Sequence, residues 1–202
     1  MMKIGVALIL VTFYLSLSGC VFVAGAAIGA AAIAMVYDHR PLSDTVQDAK
    51  IEHSITDHMH TIPDLQKTSH IDVTAFNHVV LLTGQTPNAT WKNQVEAIAA
   101  ATPNVTKVYN QITIEGPTSS LTRTSDGWIT TKIKSEMLAS EDLKASSSSI
   151  KVITENGVVY LMGSVTHAQA DTAVDIARHV SGVQKVIKIF QYQPGPASSA
   201  AL

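Results

Sequence analysis

The strongest constraint on this fold is internal repetition. The segment Ile71-Asp72-Val73-Thr74-Ala75-Phe76-Asn77-His78-Val79-Val80-Leu81-Leu82-Thr83-Gly84 returns about 79 residues later. The second copy reads Ile150-Lys151-Val152-Ile153-Thr154-Glu155-Asn156-Gly157-Val158-Val159-Tyr160-Leu161-Met162-Gly163, with apolar positions, turn asparagine and terminal glycine in register. Asn156-Gly157 is a strong two-residue hairpin signal, because both residues tolerate positive φ. Asn77-His78 in the first copy is a less ideal turn. Upstream, Ile51, Ile55 and Met59 correspond to Ile129, Ile133 and Met137, an i, i+4, i+8 spacing that puts one apolar stripe on a helix. Asp48 and Asp126 precede each stripe by three residues and are predicted N-caps. Downstream, Ile98-Ala99 followed by Asn104-Val105-Thr106-Lys107-Val108 corresponds to Ile176-Ala177 followed by Gly182-Val183-Gln184-Lys185-Val186.

Each copy therefore predicts the order αββαβ, and the fold class is α+β. Two tandem modules are expected, each a three-stranded mixed sheet packed against two helices. A unit of about 70 residues is near the lower size at which one core is stable alone, so packing of the copies against each other is expected. The first module is placed at 44–115 and the second at 126–193, with a linker at 116–125 opened by Gly116-Pro117-Thr118-Ser119-Ser120. Residues 194–202 read as a loose tail. Gly84 and Gly163 are expected to end strands at a turn or bulge rather than to touch a ligand.

Ahead of the repeat, Lys3 and the apolar stretch 4–15 have the make-up of a signal peptide. Leu17-Ser18-Gly19-Cys20 resembles a bacterial lipobox, in which small residues let the backbone lie extended in a peptidase cleft and the cysteine thiol receives diacylglycerol. Cys20 is the single cysteine of the sequence, so an intrachain disulfide is excluded. The alternative is an ordinary thiol in an uncleaved membrane helix. The expected order is a signal peptide at 1–19, then a lipidated Cys20 and an Ala/Gly-rich apolar tether over 20–43. Two or more acyl chains anchor stably where one does not. Val21, not aspartate, follows the cysteine, and in the usual lipoprotein sorting pattern that resemblance favours the outer membrane. Uncharged character continues through 21–37, so the apolar run covers roughly 34 residues where a single membrane helix needs about 20. It reads better as signal peptide plus small-residue segment than as one span.

Lysine and arginine number 14 against 16 aspartate and glutamate, a formal net charge of −2. Such a mildly acidic chain lacks the basic face that nucleic-acid binding needs. Catalytic-triad, phosphate-loop and dinucleotide signatures are absent, so the expectation is a non-enzyme with no cofactor beyond the lipid on Cys20. The serine run 146–149 reads as a flexible low-complexity loop, not a nucleophile. His53, Asp57 and His60 fall at i, i+4, i+7 with His58 nearby, which would suit zinc or nickel. The competing reading is a solvated helix face, since no H-E-x-x-H signature is present and the second copy has no equivalent ligands.

The helix–V-x-x-x-x-G-V-V-x-L-x-G hairpin–helix–G-V-x-x-V pattern resembles the BON domain, most clearly across 126–186, including Gly127-Trp128-Ile129-Thr130-Thr131-Lys132. Two such domains behind a lipobox resemble the dual BON-domain outer-membrane lipoproteins of the DolP type. The first copy departs from the pattern at its hairpin turn. The resemblance implies a lipid-anchored outer-membrane protein facing the periplasm. It also implies phospholipid binding through the second domain, support of outer-membrane integrity, and localisation at division sites. The alternative is a non-enzymatic interaction scaffold for an outer-membrane assembly or secretion complex.

Comparing the copies separates what folding needs from what function adds. Trp128 corresponds to Lys50, so the fold does not require an aromatic there. At 100° per residue, Trp128 lies roughly 140° from the buried stripe and shares its face with Thr131, Lys132 and Ser135. An exposed tryptophan beside lysine suits an interfacial contact, and Lys132 and Lys134 would favour anionic lipid. The other reading is that Trp128 covers the edge of its domain or the seam between domains.

Overall fold

The computed structural model describes residues 42–144 and 146–194. The expected signal peptide, Cys20 and the segment 21–37 lie outside the described residues, as does nearly all of the expected tail. The first module runs α1 (Leu42–His60), α2 (Leu65–Thr68), β1 (His70–Phe76), β2 (Val79–Thr86), α3 (Ala89–Ala101), β3 (Lys107–Asn110) and β4 (Thr113–Ile114). The second runs α4 (Ser120–Ala139), β5 (Ile150–Glu155), β6 (Val158–Val165), α5 (His167–His179) and β7 (Lys185–Tyr192). In each, the hairpin is antiparallel and the last strand returns parallel to the middle one, giving order β1-β2-β3 and β5-β6-β7. The first sheet gains β4, which pairs with β2 beyond the end of β3. Among the described residues no helix is long and apolar enough to cross a membrane.

Strand alternation and the helix stripes build one core per module. Ile51, Ile55 and Met59 pack with Ala75, Val80 and Leu82, while Ile129, Ile133 and Met137 pack with Val152, Val159 and Leu161. The opposite faces of the two sheets are apolar as well. Phe76, Val79 and Leu81 from one sheet and Tyr160, Met162 and Ile189 from the other form a third buried cluster. That is why every position of β2 is buried: both faces of a central strand are covered. Side chains burying their full surface contribute about 1.5–3 kcal/mol each, so this seam holds the two small modules together. Its rim is polar. The Lys151 ammonium donates to the Ala75 carbonyl at 2.7 Å and pairs with Glu52 at 3.3 Å. Asn77 Nδ2 donates to Gln191 Oε1 at 3.1 Å.

Three local expectations are corrected. Asp48 and Asp126 are not N-caps, for they lie inside α1 and α4 and are buried. Each reaches across to a hairpin instead. The Asp48 carboxylate accepts from the N–H groups of Asn77 and His78 at 2.9 and 3.0 Å, and that of Asp126 from Asn156 and Gly157 at 2.8 and 2.9 Å. The cap of α4 is Ser119, whose hydroxyl accepts from Thr122 N–H at 3.1 Å. A two-residue turn leaves its outward amides without sheet partners, and a buried carboxylate satisfies two of them with charge-assisted bonds. Asn77 and His78 have φ of 46° and 66°, Asn156 and Gly157 of 49° and 75°, so both hairpins turn through paired positive φ values. Second, Gly84 and Gly163 lie within β2 and β6 rather than ending them. A Cβ on Gly84 would stand 2.0 Å from the His70 carbonyl oxygen, and one on Gly163 2.7 Å from that of Ser149; both glycines permit close backbone approach. Third, Ser147–Ser149 forms a 3-10 turn, and Ser146 Oγ accepts from Gln169 Nε2 at 2.6 Å. The serine run is tied to α5.

Candidate functional site

Helix α4 buries Ile129, Ile133 and Met137 and turns the opposite face to solvent. On that face Leu121 is 78% exposed, Trp128 54% and Leu138 60%. At 100° per residue Leu121 and Trp128 lie within roughly 20° of each other and Leu138 about 80° from Trp128, so the three share an arc of about 100° over about 26 Å of helix. The other exposed large hydrophobics described, Val46, Ile114 and Tyr192, are dispersed over α1, β4 and β7. Three large apolar side chains on the solvent arc of one helix differ from singly scattered ones, which need no explanation.

The polar residues between them are quieter than their composition suggests. Thr124, Thr131 and Ser135 donate their hydroxyl protons to the carbonyls of Ser120, Gly127 and Thr131, each at 2.9 Å. Lys132 pairs with Glu136 at 3.1 Å, with both side chains partly in water, a contact worth at most about 1 kcal/mol. The expected group Trp128, Thr131, Lys132 and Ser135 is thus assembled on one surface. Lys134 is not part of it. It lies roughly 120° around the helix from Trp128, and its pKa is lowered by burial of its surroundings first and by the neighbouring Lys151 second.

Leu121 and Leu138 were missed by sequence reasoning, for an identifiable reason. Placing the helix start at Asp126 left Leu121 in the linker, and Leu138 follows Met137 directly and looks like core. Extending the helix back to the Ser119 cap would have brought Leu121 into line with Trp128, and counting on from Trp128 would have put Leu138 about 80° away on the same solvent arc.

Beside Leu121 a groove of about 280 Å³ runs between α4 and the β5–β6 turn, with Ser125, Asn156 and Gln184 in its wall. A larger, open depression of about 640 Å³ lies between α4 and α5. Glu136, Asp171 and Asp175 line it, and these carboxylates repel an anionic ligand.

The histidine face of α1 divides. His53 pairs with Asp57 at 3.2 Å, both well exposed, whereas His60 contacts the Gln66 side chain. A different set converges at the seam. His70, Asp72 and Glu155 bring one ligand atom each to within 4.8 Å of one another. Burial raises the Glu155 pKa; Gln85 and His70 act to lower it, and Asp72 and Asp126 to raise it further.

The BON domain family matches residues 47–116 and 125–194, both modules almost from end to end. The chain belongs to the BON-domain family. It is 36% identical over 178 residues to the outer membrane lipoprotein DolP of Haemophilus influenzae, covering 87% of this chain and 90% of that protein. It is also 39% identical over 155 residues to a 21 kDa hemolysin of Actinobacillus pleuropneumoniae, covering 77% and 79%. A solved C-terminal domain of CdsD, a type III secretion structural protein of Chlamydia trachomatis, overlaps 70% of this chain and 96% of that one. The two share 13% identity, with a TM-score of 0.29.

Proposed function

We propose that this dual-BON protein is a non-enzymatic outer-membrane lipoprotein, anchored through Cys20 and facing the periplasm. Its second module binds phospholipid through the Leu121, Trp128 and Leu138 face of α4, and the protein supports outer-membrane integrity, including at division sites. The observation that carries this reading is three large apolar side chains exposed on one solvent arc of a helix whose intervening hydroxyls are already satisfied. The similarity to a protein named as an outer membrane lipoprotein supports the location.

Magnitudes make the anchor and the face complementary. Fully burying one such side chain yields about 1.5–3 kcal/mol, and partial insertion of three gives on the order of 4 kcal/mol. That corresponds to a Kd of about 1 mM, negligible in free solution. A tethered module already experiences millimolar effective concentration. A weak lipid-binding face is therefore useful only on an anchored protein. Preference for anionic lipid would rest on Lys132, whose charge is shared with Glu136.

Co-sedimentation of the 42–194 fragment with vesicles of phosphatidylethanolamine and phosphatidylglycerol tests the reading. Trp128→Glu is expected to lower binding at least tenfold. Unchanged binding overturns the assignment, and crosslinking to a protein partner at the same yield with Trp128→Glu would favour the scaffold alternative.

A further inference from the structure

We propose that His70, Asp72 and Glu155 form a divalent transition-metal site, best suited to zinc, that clips the first module to the second. Two of the ligands come from β1 and one from the end of β5.

The strand geometry supplies the donors. His70 and Asp72 are at i and i+2 on β1, so both stand on the face turned away from the helices of their module. The His70 Nε2 and Asp72 Oδ2 atoms are 3.3 Å apart. Ligand atoms on a tetrahedral zinc at 2.0–2.2 Å lie about 3.3–3.5 Å from each other, so this pair already has the required spacing. Glu155 projects from the facing sheet and completes a set whose ligand atoms all lie within 4.8 Å. Closing the set takes at most about 1.5 Å of side-chain movement. One imidazole nitrogen with two carboxylates balances a dipositive ion and leaves the fourth position for water. Calcium and magnesium instead want six or more oxygens, and the imidazole points to zinc.

The surroundings hold the buried ligand in place. Gln85 Nε2 donates to Glu155 at 2.6 Å, and Gln85 Oε1 accepts from the Thr118 N–H at 3.1 Å. The amide is therefore oriented from both ends, as an outer-shell partner of a metal carboxylate is. Thr118 also carries a buried Oγ1 with no hydrogen-bond partner, so polar capacity is unfilled two hydrogen bonds from the cluster.

The repeat itself marks this end of the seam as short of positive charge. Asp72 corresponds to Lys151 in the second copy. Lys151 closes its end of the seam with an ammonium held by Glu52 and the Ala75 carbonyl. At the other end Glu155 meets His70 and Asp72, so an aspartate stands where the second copy has its lysine. A bound cation would do there what the ammonium does opposite.

The test is zinc titration of the purified, chelator-stripped full chain in detergent, by calorimetry and by metal analysis after dialysis. The expected result is one zinc per chain and a rise in Tm with zinc. His70→Gln and Glu155→Gln should each weaken binding at least tenfold, while His53→Gln leaves it unchanged. Absence of stoichiometric binding overturns the site. So does binding that survives both variants or is lost with His53→Gln. Should Glu155→Gln not fold, as judged by circular dichroism in chelator, His70→Gln and Asp72→Asn on the partly exposed side chains decide the matter.

Discussion

Helices α1 and α4 are the same element made twice, and they differ most on the face turned to solvent. Their buried positions agree residue for residue: Asp48 with Asp126, Ile51 with Ile129, Ile55 with Ile133, Met59 with Met137. Their outer positions do not. Leu121, Trp128 and Leu138 on α4 correspond to Ser43, Lys50 and His60 on α1, and Thr131 and Ser135 correspond to His53 and Asp57. Packing against the sheet constrains one half of each helix, and water constrains the other only weakly. Three large apolar side chains exposed on the wet half of α4, against Val46 on α1 among the described residues, point to a contact made by the second module alone.

The largest effect should come from giving α4 the outer face of α1. Leu121→Ser, Trp128→Lys and Leu138→His together remove about 4 kcal/mol of apolar contact, which is the whole of the estimated affinity, so co-sedimentation at millimolar lipid should be abolished with Tm nearly unchanged. Retained binding would break the comparison. Next are the shared aspartates. Asp48→Ala and Asp126→Ala each leave two turn amides without charge-assisted partners, and urea unfolding should show a loss of about 3 kcal/mol for either. A small loss at one site alone would show that the two hairpins are held differently.

The turns themselves sharpen the contrast further. His78 sits at φ of 66° where the second module has Gly157, so His78→Gly should stabilise by about 0.5–1 kcal/mol in the same assay. The smallest effect concerns Tyr160, which faces the seam where the first copy has Leu81. Burial, and after it Glu155, raises the Tyr160 pKa above the ordinary 10.0. The folded state therefore holds the phenolic proton more tightly than the unfolded one. That contribution is intact below pH 10.0 and is lost as pH climbs through the raised folded value. Tyr160→Phe should flatten the alkaline limb of a Tm-against-pH curve.

Much of each module was legible before any coordinates. The period of the apolar stripe located the α1 and α4 cores, and Asn-His and Asn-Gly located both turns, because these signals are local. The exposed Trp128 emerged from mismatch between copies, a comparison that needs no structure. Leu121 was lost through one wrong inference about where a helix starts, which followed from reading Asp126 as a cap. An aspartate three residues before an apolar stripe looks the same whether it caps its own helix or reaches a hairpin about 30 residues away in sequence.

Sequence alone determined that there are two αββαβ modules, which residues form each core, and which helix carries an unneeded tryptophan. Those properties rest on spacings of two and four residues within one element, and a chain cannot hide them. The tertiary structure decided that the sheets dock through their second faces, that Asp48 and Asp126 hold turns, and that Glu155 meets His70 and Asp72. Each of these depends on which face of one element lies against which face of another, and that is settled by packing between residues far apart in the chain.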